Sequence, residues 1–477
     1  MDPVDPIIVE PSIEQEKPAF VEPGSPWIAP GHSYGSVTQR IGDVVLDKTR
    51  KGWWIGFGIC FILFLMLNYG LTYLFAVGVG EFGINIPVAW AFAITSFVWW
   101  IGIGHAGTLI SAFLLLMHQK WRTSVNRFAE AMTIFAVICA GMFPFVHMGR
   151  PWLFYWLFPY PDTMGVWPQF RSPLVWDVFA VSTYFTVSLL FWYTGLIPDL
   201  ATLRDRAKTW GKKVVYGFFS VGWRGSAKHW KRHEWACLLL AGIATPLVVS
   251  VHTVVSFDFT IAIVPGWHST IFPPYFVAGA IYSGFAMVIM LAIPLRKWYH
   301  LEDFITIRHL NNCGKLLLAT GMIVAYSYVM ETFFAFYSAD KFEHYMMLNR
   351  LYGPYDIVYW TLLSCNIFIP MTFLWSYKVR TNTVALFLVA TVAQIGMWLE
   401  RFIIIVESLH RDFLPSSWGM FFPTPTDWEI LFGSLGLFMV LFYLFARFLP
   451  SISIFEMRHL VHRTAEETGV IETTVVE

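Results

Sequence analysis

Charge is what this sequence has least of. Only 13% of its 477 residues are Asp, Glu, Lys or Arg, whereas 56% are hydrophobic. A soluble domain carries about 25% charge, so a water-soluble globular fold is excluded. The formal net charge is zero, which gives no footing for a nucleic-acid partner. Cysteine is also scarce. The five residues, Cys60, Cys139, Cys237, Cys313 and Cys365, are far apart and make no CxxC, CxxCH or iron–sulfur spacing. No haem attachment and no cysteine-ligated cluster is expected in this chain, and the cysteines read as small core residues. The opening Met1-Asp-Pro-Val-Asp5 lacks a basic stretch and a following apolar run, so it is not read as a signal peptide.

What is present is apolar length. Ten stretches read as membrane spans: Trp53–Val79, Pro87–Met117, Phe128–His147, Ser172–Ile197, Trp235–Phe257, Phe272–Pro294, Leu310–Tyr337, Pro354–Tyr377, Thr383–Glu407 and Asp427–Leu449. Each has at least about 20 residues, enough to cross roughly 30 Å of hydrocarbon. The expected fold is an all-α polytopic membrane protein. Aromatics at span ends, among them Trp53, Trp54, Trp121, Trp176, Trp235, Trp298 and Trp428, suit an interfacial belt. Residues 1–50 are Pro- and Glu-rich and turn weakly amphipathic at Val37, Ile41, Val44 and Val45, which predicts a tail with a short surface helix. Residues 450–477 predict a second tail.

Basic residues set the expected orientation. With this span list, 26 Lys and Arg fall on the side of the N-terminus and 5 on the other, with Arg401 inside a span. The positive-inside rule then puts both termini in the cytoplasm. The basic loop Pro198–Glu234 reads as topogenic charge that contacts lipid headgroups.

The chain also repeats itself weakly. Ala106-Gly-Thr-Leu-Ile-Ser-Ala-Phe113 in span two is answered by Ala278-Gly-Ala-Ile-Tyr-Ser-Gly-Phe285 in span six. Both run on to a basic, Trp-containing end. Span four opens with Pro173 and Asp177, and span eight with Pro354 and Asp356. Spans two to five (residues 87–257) and six to nine (272–407) are expected to be parallel-repeat four-helix bundles, flanked by spans one (53–79) and ten (427–449). Small residues recurring on helix faces for packing alone would give a similar pattern.

Ionisable groups are costly in lipid and mark working sites. His147, Asp177, His252 and Asp258 fall near the outer ends of spans three to five, and His105 lies in the outer half of span two. A quinol must give its hydroxyl protons to positioned acceptors, and His and carboxylate suit that task. The bland alternatives are a solvated interfacial histidine for His147, a helix-start carboxylate for Asp177 and a loop position for Asp258. A second set, Glu331, Asp356, Glu400, Arg401 and Glu407, lies in the outer half of the other bundle. It reads either as a proton path or, slightly better for Glu400–Arg401, as a neutralised structural pair. Competing functions are a transporter or proton pump, a haem b protein using His105, His147 or His252, and a passive anchor for a redox complex.

His147-Met-Gly-Arg-Pro-Trp152, Gly104-His-Ala-Gly-Thr108 and Ser172-Pro-Leu-Val-Trp-Asp177 together resemble the polysulfide-reductase membrane-anchor family, also called NrfD-like. Within that family the layout is similar to the quinol-binding membrane subunits of alternative complex III. The resemblance spans residues of about 40 to 460. It implies an oxidoreductase subunit of the bacterial inner membrane that takes a quinol, expected to be menaquinol, and holds no haem or iron–sulfur cluster itself. It implies a periplasmic iron–sulfur partner, multihaem cytochrome c subunits, a second NrfD-like subunit and surrounding lipid. It carries the quinol-site role onto His147, Asp177, His252 and Asp258, with Arg150 and Trp176 nearby and His105 less firmly placed. Proton translocation through Glu331, Asp356, Glu400 and Arg401 is a further expectation.

Overall fold

The computed structural model describes residues 27–49, 51–158 and 170–467. Among these residues there is no β-strand, and ten helices are long and apolar enough to cross a membrane. They are α1 (Lys51–Val77), α2 (Phe92–Leu116), α3 (Asn126–His147), α4 (Pro173–Arg206), α5 (Ala227–Thr260), α6 (Phe272–Trp298), α7 (Ile307–Tyr337), α8 (Asp356–Leu374), α9 (Thr383–His410) and α10 (Pro425–Phe448). All ten expected spans are present. Backbone polar groups cannot find water in lipid, so even the glycine-rich run of α2 is held helical by its own hydrogen bonds.

The helices close into two rings. In one, α2 packs on α3 and α5, and α4 packs on α3 and α5. In the other, α6 packs on α7 and α9, and α8 lies against both of those. The rings meet where α6 crosses α2 and α5. The two look-alike segments form that crossing: a Cβ on Gly284 of α6 would overlap the Cβ of Ala106 on α2. Only glycine lets the backbones come this close, which is how membrane helices gain packing without a hydrophobic driving force. Outside the rings, α1 and α10 pair with each other, and Gly433 and Gly436 of α10 lie directly on Leu67 and Phe64 of α1.

Helix ends depart from expectation in instructive ways. The break expected at Pro198 does not occur, and α4 runs on to Arg206. Proline removes the N–H that would bond the carbonyl four residues back, here that of Thr194. His233 takes that carbonyl at 3.1 Å, and Arg127 takes the next one, of Gly195, at 2.7 Å. The Pro198–Glu234 loop is therefore partly helical, with a further helix at Trp210–Phe219. Two spans contain a π-helical turn, Ser364–Phe368 between the two α-helical parts of α8 and Ile403–Glu407 within α9.

The tails are not loose where described. The Tyr34–Leu46 helix is amphipathic as expected, but it packs against the Ile454–Glu467 helix, and Thr38 accepts from Arg458 Nε at 2.7 Å. Ser451–Ile454 is buried throughout. Trp27 lies under the Arg308 guanidinium at 3.5 Å. Residues 1–26 and 468–477 of the two expected tails lie outside the described residues. Trp121 is buried and not part of an interfacial belt.

Candidate functional site

The first ring gathers most of the expected site, in two pairs. His105 sits mid-way along α2 and His252 on α5, with ring centroids 4.7 Å apart. His105 bonds the Ile101 carbonyl through Nδ1 at 2.5 Å, and the Tyr184 ring stacks on it at 4.6 Å. The second pair lies nearer the helix ends. Asp177, one turn into α4, faces Asp258, which belongs to the last turn of α5 and not to a loop. The six residues from His252 to Asp258 separate the pairs by about 9 Å along α5.

Several polar atoms of these groups are buried without a hydrogen-bond partner. Both ring nitrogens of His252, Nε2 of His105, both carboxyl oxygens of Asp177 and Oδ1 of Asp258 form no hydrogen bond among the described residues. Buried polar atoms are nearly always satisfied, so such a concentration marks a place where a ligand or water completes the bonding. Beside it, α4 and α5 part to leave an open groove of about 320 Å³. Trp176, Phe179, Thr183, Leu247, Val251 and Val254 line it. Trp176 and Val251 adjoin Asp177 and His252 in sequence, so the groove runs along the same turns as the polar groups. The Trp176 indole is fixed by donation to the Phe170 carbonyl at 2.7 Å.

His147 and Arg150 stand apart. His147 ends α3 partly buried, with no hydrogen bond or ring contact to either pair among the described residues. Arg150 is exposed and precedes the turn Pro151–Leu157. The chain bends there at Gly149, whose φ of 68° is left-handed and where a Cβ would collide with the Val79 side chain.

The second set is split. Glu400 pairs with Arg401 at 2.8 Å and accepts from the Tyr328 hydroxyl, which in turn accepts from Asn366 at 2.8 Å. The Arg401 guanidinium rests on the Phe276 ring at 4.2 Å. Glu331 and Glu407 belong to a separate cluster around Arg350, at 2.7 and 3.0 Å, with Asn349 donating to Glu407 at 2.6 Å. Burial opposes the charge of Arg350, but Glu331 and Glu407 outweigh it and raise its pKa above the ordinary value. Asp356 joins neither cluster. It is half-buried, and its carboxyl accepts from the Ile357 N–H beside it at 2.7 Å. The likeness of Asp356 to Asp177 in sequence is thus not matched by their surroundings.

Sequence reasoning missed a third cluster, near the side of the termini. Arg127 pairs with Asp199 at 3.1 Å and lies 3.7 Å from Glu130, which accepts from Ser111. Arg122 and Asn126 hold Glu456 of the C-terminal helix. Glu130, an acid inside an apolar span, was the available signal. Tyr328 and Asn366 gave none, because neutral polar residues are common in membrane helices.

The family model described as "Polysulphide reductase, NrfD" matches residues 80–411. The chain belongs to the NrfD family. The matched region takes in both rings and leaves out α1 and α10. A Halobacterium salinarum protein, provisionally assigned as a membrane subunit of dimethyl sulfoxide reductase, is 24% identical over 374 residues, covering 75% of this chain and 77% of that protein. This NrfD chain is therefore a multi-pass membrane subunit of the kind that belongs to redox complexes.

Proposed function

We propose that the chain is the quinol-oxidising membrane subunit of a respiratory complex of the alternative complex III type, with menaquinol as substrate. The supporting observation is the cluster of unpartnered acids and imidazoles beside a lipid-side groove in the first ring. The isoprenoid tail lies in the α4–α5 groove. The head reaches between the two pairs, whose separation suits the two ends of a quinol ring. One hydroxyl gives its proton to His252 and the other to the Asp177–Asp258 pair. The quinol becomes a quinone, and its two electrons pass to an iron–sulfur partner seated on the face opposite the termini. His105 holds the His252 ring in place, and Trp176 walls the groove.

The chain sits in the bacterial inner membrane with both termini in the cytoplasm, which the basic-residue asymmetry supports. Its wider partners are multihaem cytochrome c subunits and a second NrfD-like subunit. Glu331, Glu400 and Arg401 form the candidate proton route of the second ring. The pairing of Glu331 with Arg350 favours a structural part for Glu331, while Glu400 keeps a hydrogen-bonded line to Asn366.

Asp177→Asn and His252→Ala in the intact complex test the assignment. A positioned proton acceptor is worth about 10²–10⁴ in rate, so each variant is expected to lose at least about 100-fold in quinol oxidation while still assembling. Turnover within a few-fold of the parent in both would remove these residues from the mechanism.

A further inference from the structure

Phe276 of α6 touches both rings' chemistry. The His252 ring centroid is 5.9 Å from its own, and the Arg401 guanidinium carbon lies 4.2 Å from it. The imidazole and the guanidinium are therefore at most about 10 Å apart, and both lie against the Phe276 ring. Arg401 is fixed there from several sides. It is buried, Glu400 pairs with it at 2.8 Å, and α6 offers glycine at 279, where a Cβ would stand 3.0 Å from Arg401 Nη2. The charged and titratable groups that face His252 are His105 from α2 and Arg401 from α9. From α6 the neighbour is the uncharged Phe276, and Asp177 of α4 faces Asp258 instead.

We propose that Arg401, on the second ring, is a positioning residue of the substrate site on the first: its fixed positive charge sets how tightly His252 keeps a proton taken from the substrate. The proposal rests on His252 being a proton acceptor for quinol. Arg401 then hastens release of that proton, since like charges repel across a low-dielectric gap. Glu400 moderates the effect by neutralising part of the field. The coupling is reciprocal, as any coupling between two sites must be. A protonated His252 presses Arg401 towards Glu400, so the state of the first ring is felt by the Tyr328–Asn366 line of the second.

The test is the pH dependence of turnover in membranes holding the intact complex, with a short-chain naphthoquinol as electron donor. Rate falls at low pH once His252 is already protonated and cannot accept. Two unit charges about 10 Å apart at an effective dielectric of about 20 alter a titration by about one pH unit. Arg401→Gln is expected to move the acid limb about one unit to higher pH; the doubly neutral Arg401→Gln/Glu400→Gln, used if the single variant does not assemble, removes both charges and is expected to move it the same way by less. Glu400→Gln alone leaves Arg401 unopposed and is expected to move the limb the other way. Arg401→Lys keeps the charge and should restore the parent profile. A purely structural pair would lower activity at all pH values and give no shifts of opposite sign. Limbs that superimpose on the parent overturn the proposal. The underlying reading is judged separately by His252→Ala: if that variant keeps turning over, the quinol site fails; if it is inactive while the limbs stay put, the Arg401 assignment alone fails.

Discussion

Arg350 is completely buried between Glu331 and Glu407, and its removal would leave two acids without a cation. Breaking a buried pair by deleting one partner costs about 3–5 kcal/mol. Arg350→Met is expected to lower the melting temperature of the solubilised complex sharply, read by thermal unfolding. Quinol oxidation by whatever complex assembles should stay near the parent, because the bonds of Arg350 go to Glu331, Glu407 and Ser408 and not to the first ring. A melting curve that overlays the parent's would show that the cluster contributes nothing to folding. At this scale, the sequence pointed to His105, Asp177, His252 and Asp258 because each interrupts an apolar run. It did not point to Arg350, whose helix Lys341–Tyr352 is too polar and short to stand out as part of a membrane core. Nor could it separate His147 from the pairs, since a residue at a span end has no neighbour in sequence that reveals what faces it.

Among the elements, α4 shows how one side chain can rescue another element's backbone. His233 bonds the Thr194 carbonyl that Pro198 frees. His233→Leu should leave that carbonyl bare and destabilise the fold by about 1–3 kcal/mol. Adding Pro198→Ala restores the N–H within α4, so the double variant should recover most of the loss. Purely additive effects in thermal unfolding would sink this account. The α2–α6 crossing gives a second prediction. Gly284→Val places bulk where Ala106 already occupies the space of an added Cβ, and overpacking of this kind costs about 1–3 kcal/mol or more. The variant should melt earlier and lose quinol oxidation, because α2 and α6 carry His105 and Phe276 beside His252 on α5.

Ten helices among the described residues are long and apolar enough to cross a membrane, and an even number of crossings would put the two ends on one side. Reporter fusions at the two termini are expected to report the cytoplasm, and a reporter placed after Arg150 the opposite side. Opposite locations for the two ends would overturn the layout. The C-terminal segment also closes the first ring from that shared side. Ser451–Ile454 is buried, Asp199 accepts from the Phe455 N–H at 3.1 Å, and Glu456 pairs with Arg122. Truncation after Pro450 would uncover Arg122 and Asp199 together. It is expected to reduce the yield of intact complex in membranes, measured against the full chain, while Glu456→Gln alone does less because the buried Ser451–Ile454 remains.

Apolar length and charge asymmetry are properties of the chain itself. They determined that this is a ten-span helical membrane protein, since a backbone in lipid must satisfy its own hydrogen bonds and has almost no alternative to the helix. They also singled out the polar residues, because a polar group in such a run is conspicuous wherever it ends up. Which of those groups meet was decided by tertiary structure. His105 with His252, and Asp177 with Asp258, come together through the angular positions of α2, α4 and α5 and the depth at which each helix crosses. Arg401 comes to Phe276 through a glycine on α6 that leaves it room. Facing and depth depend on contacts between helices far apart in the chain, and small residues set those contacts at distances that no single span records.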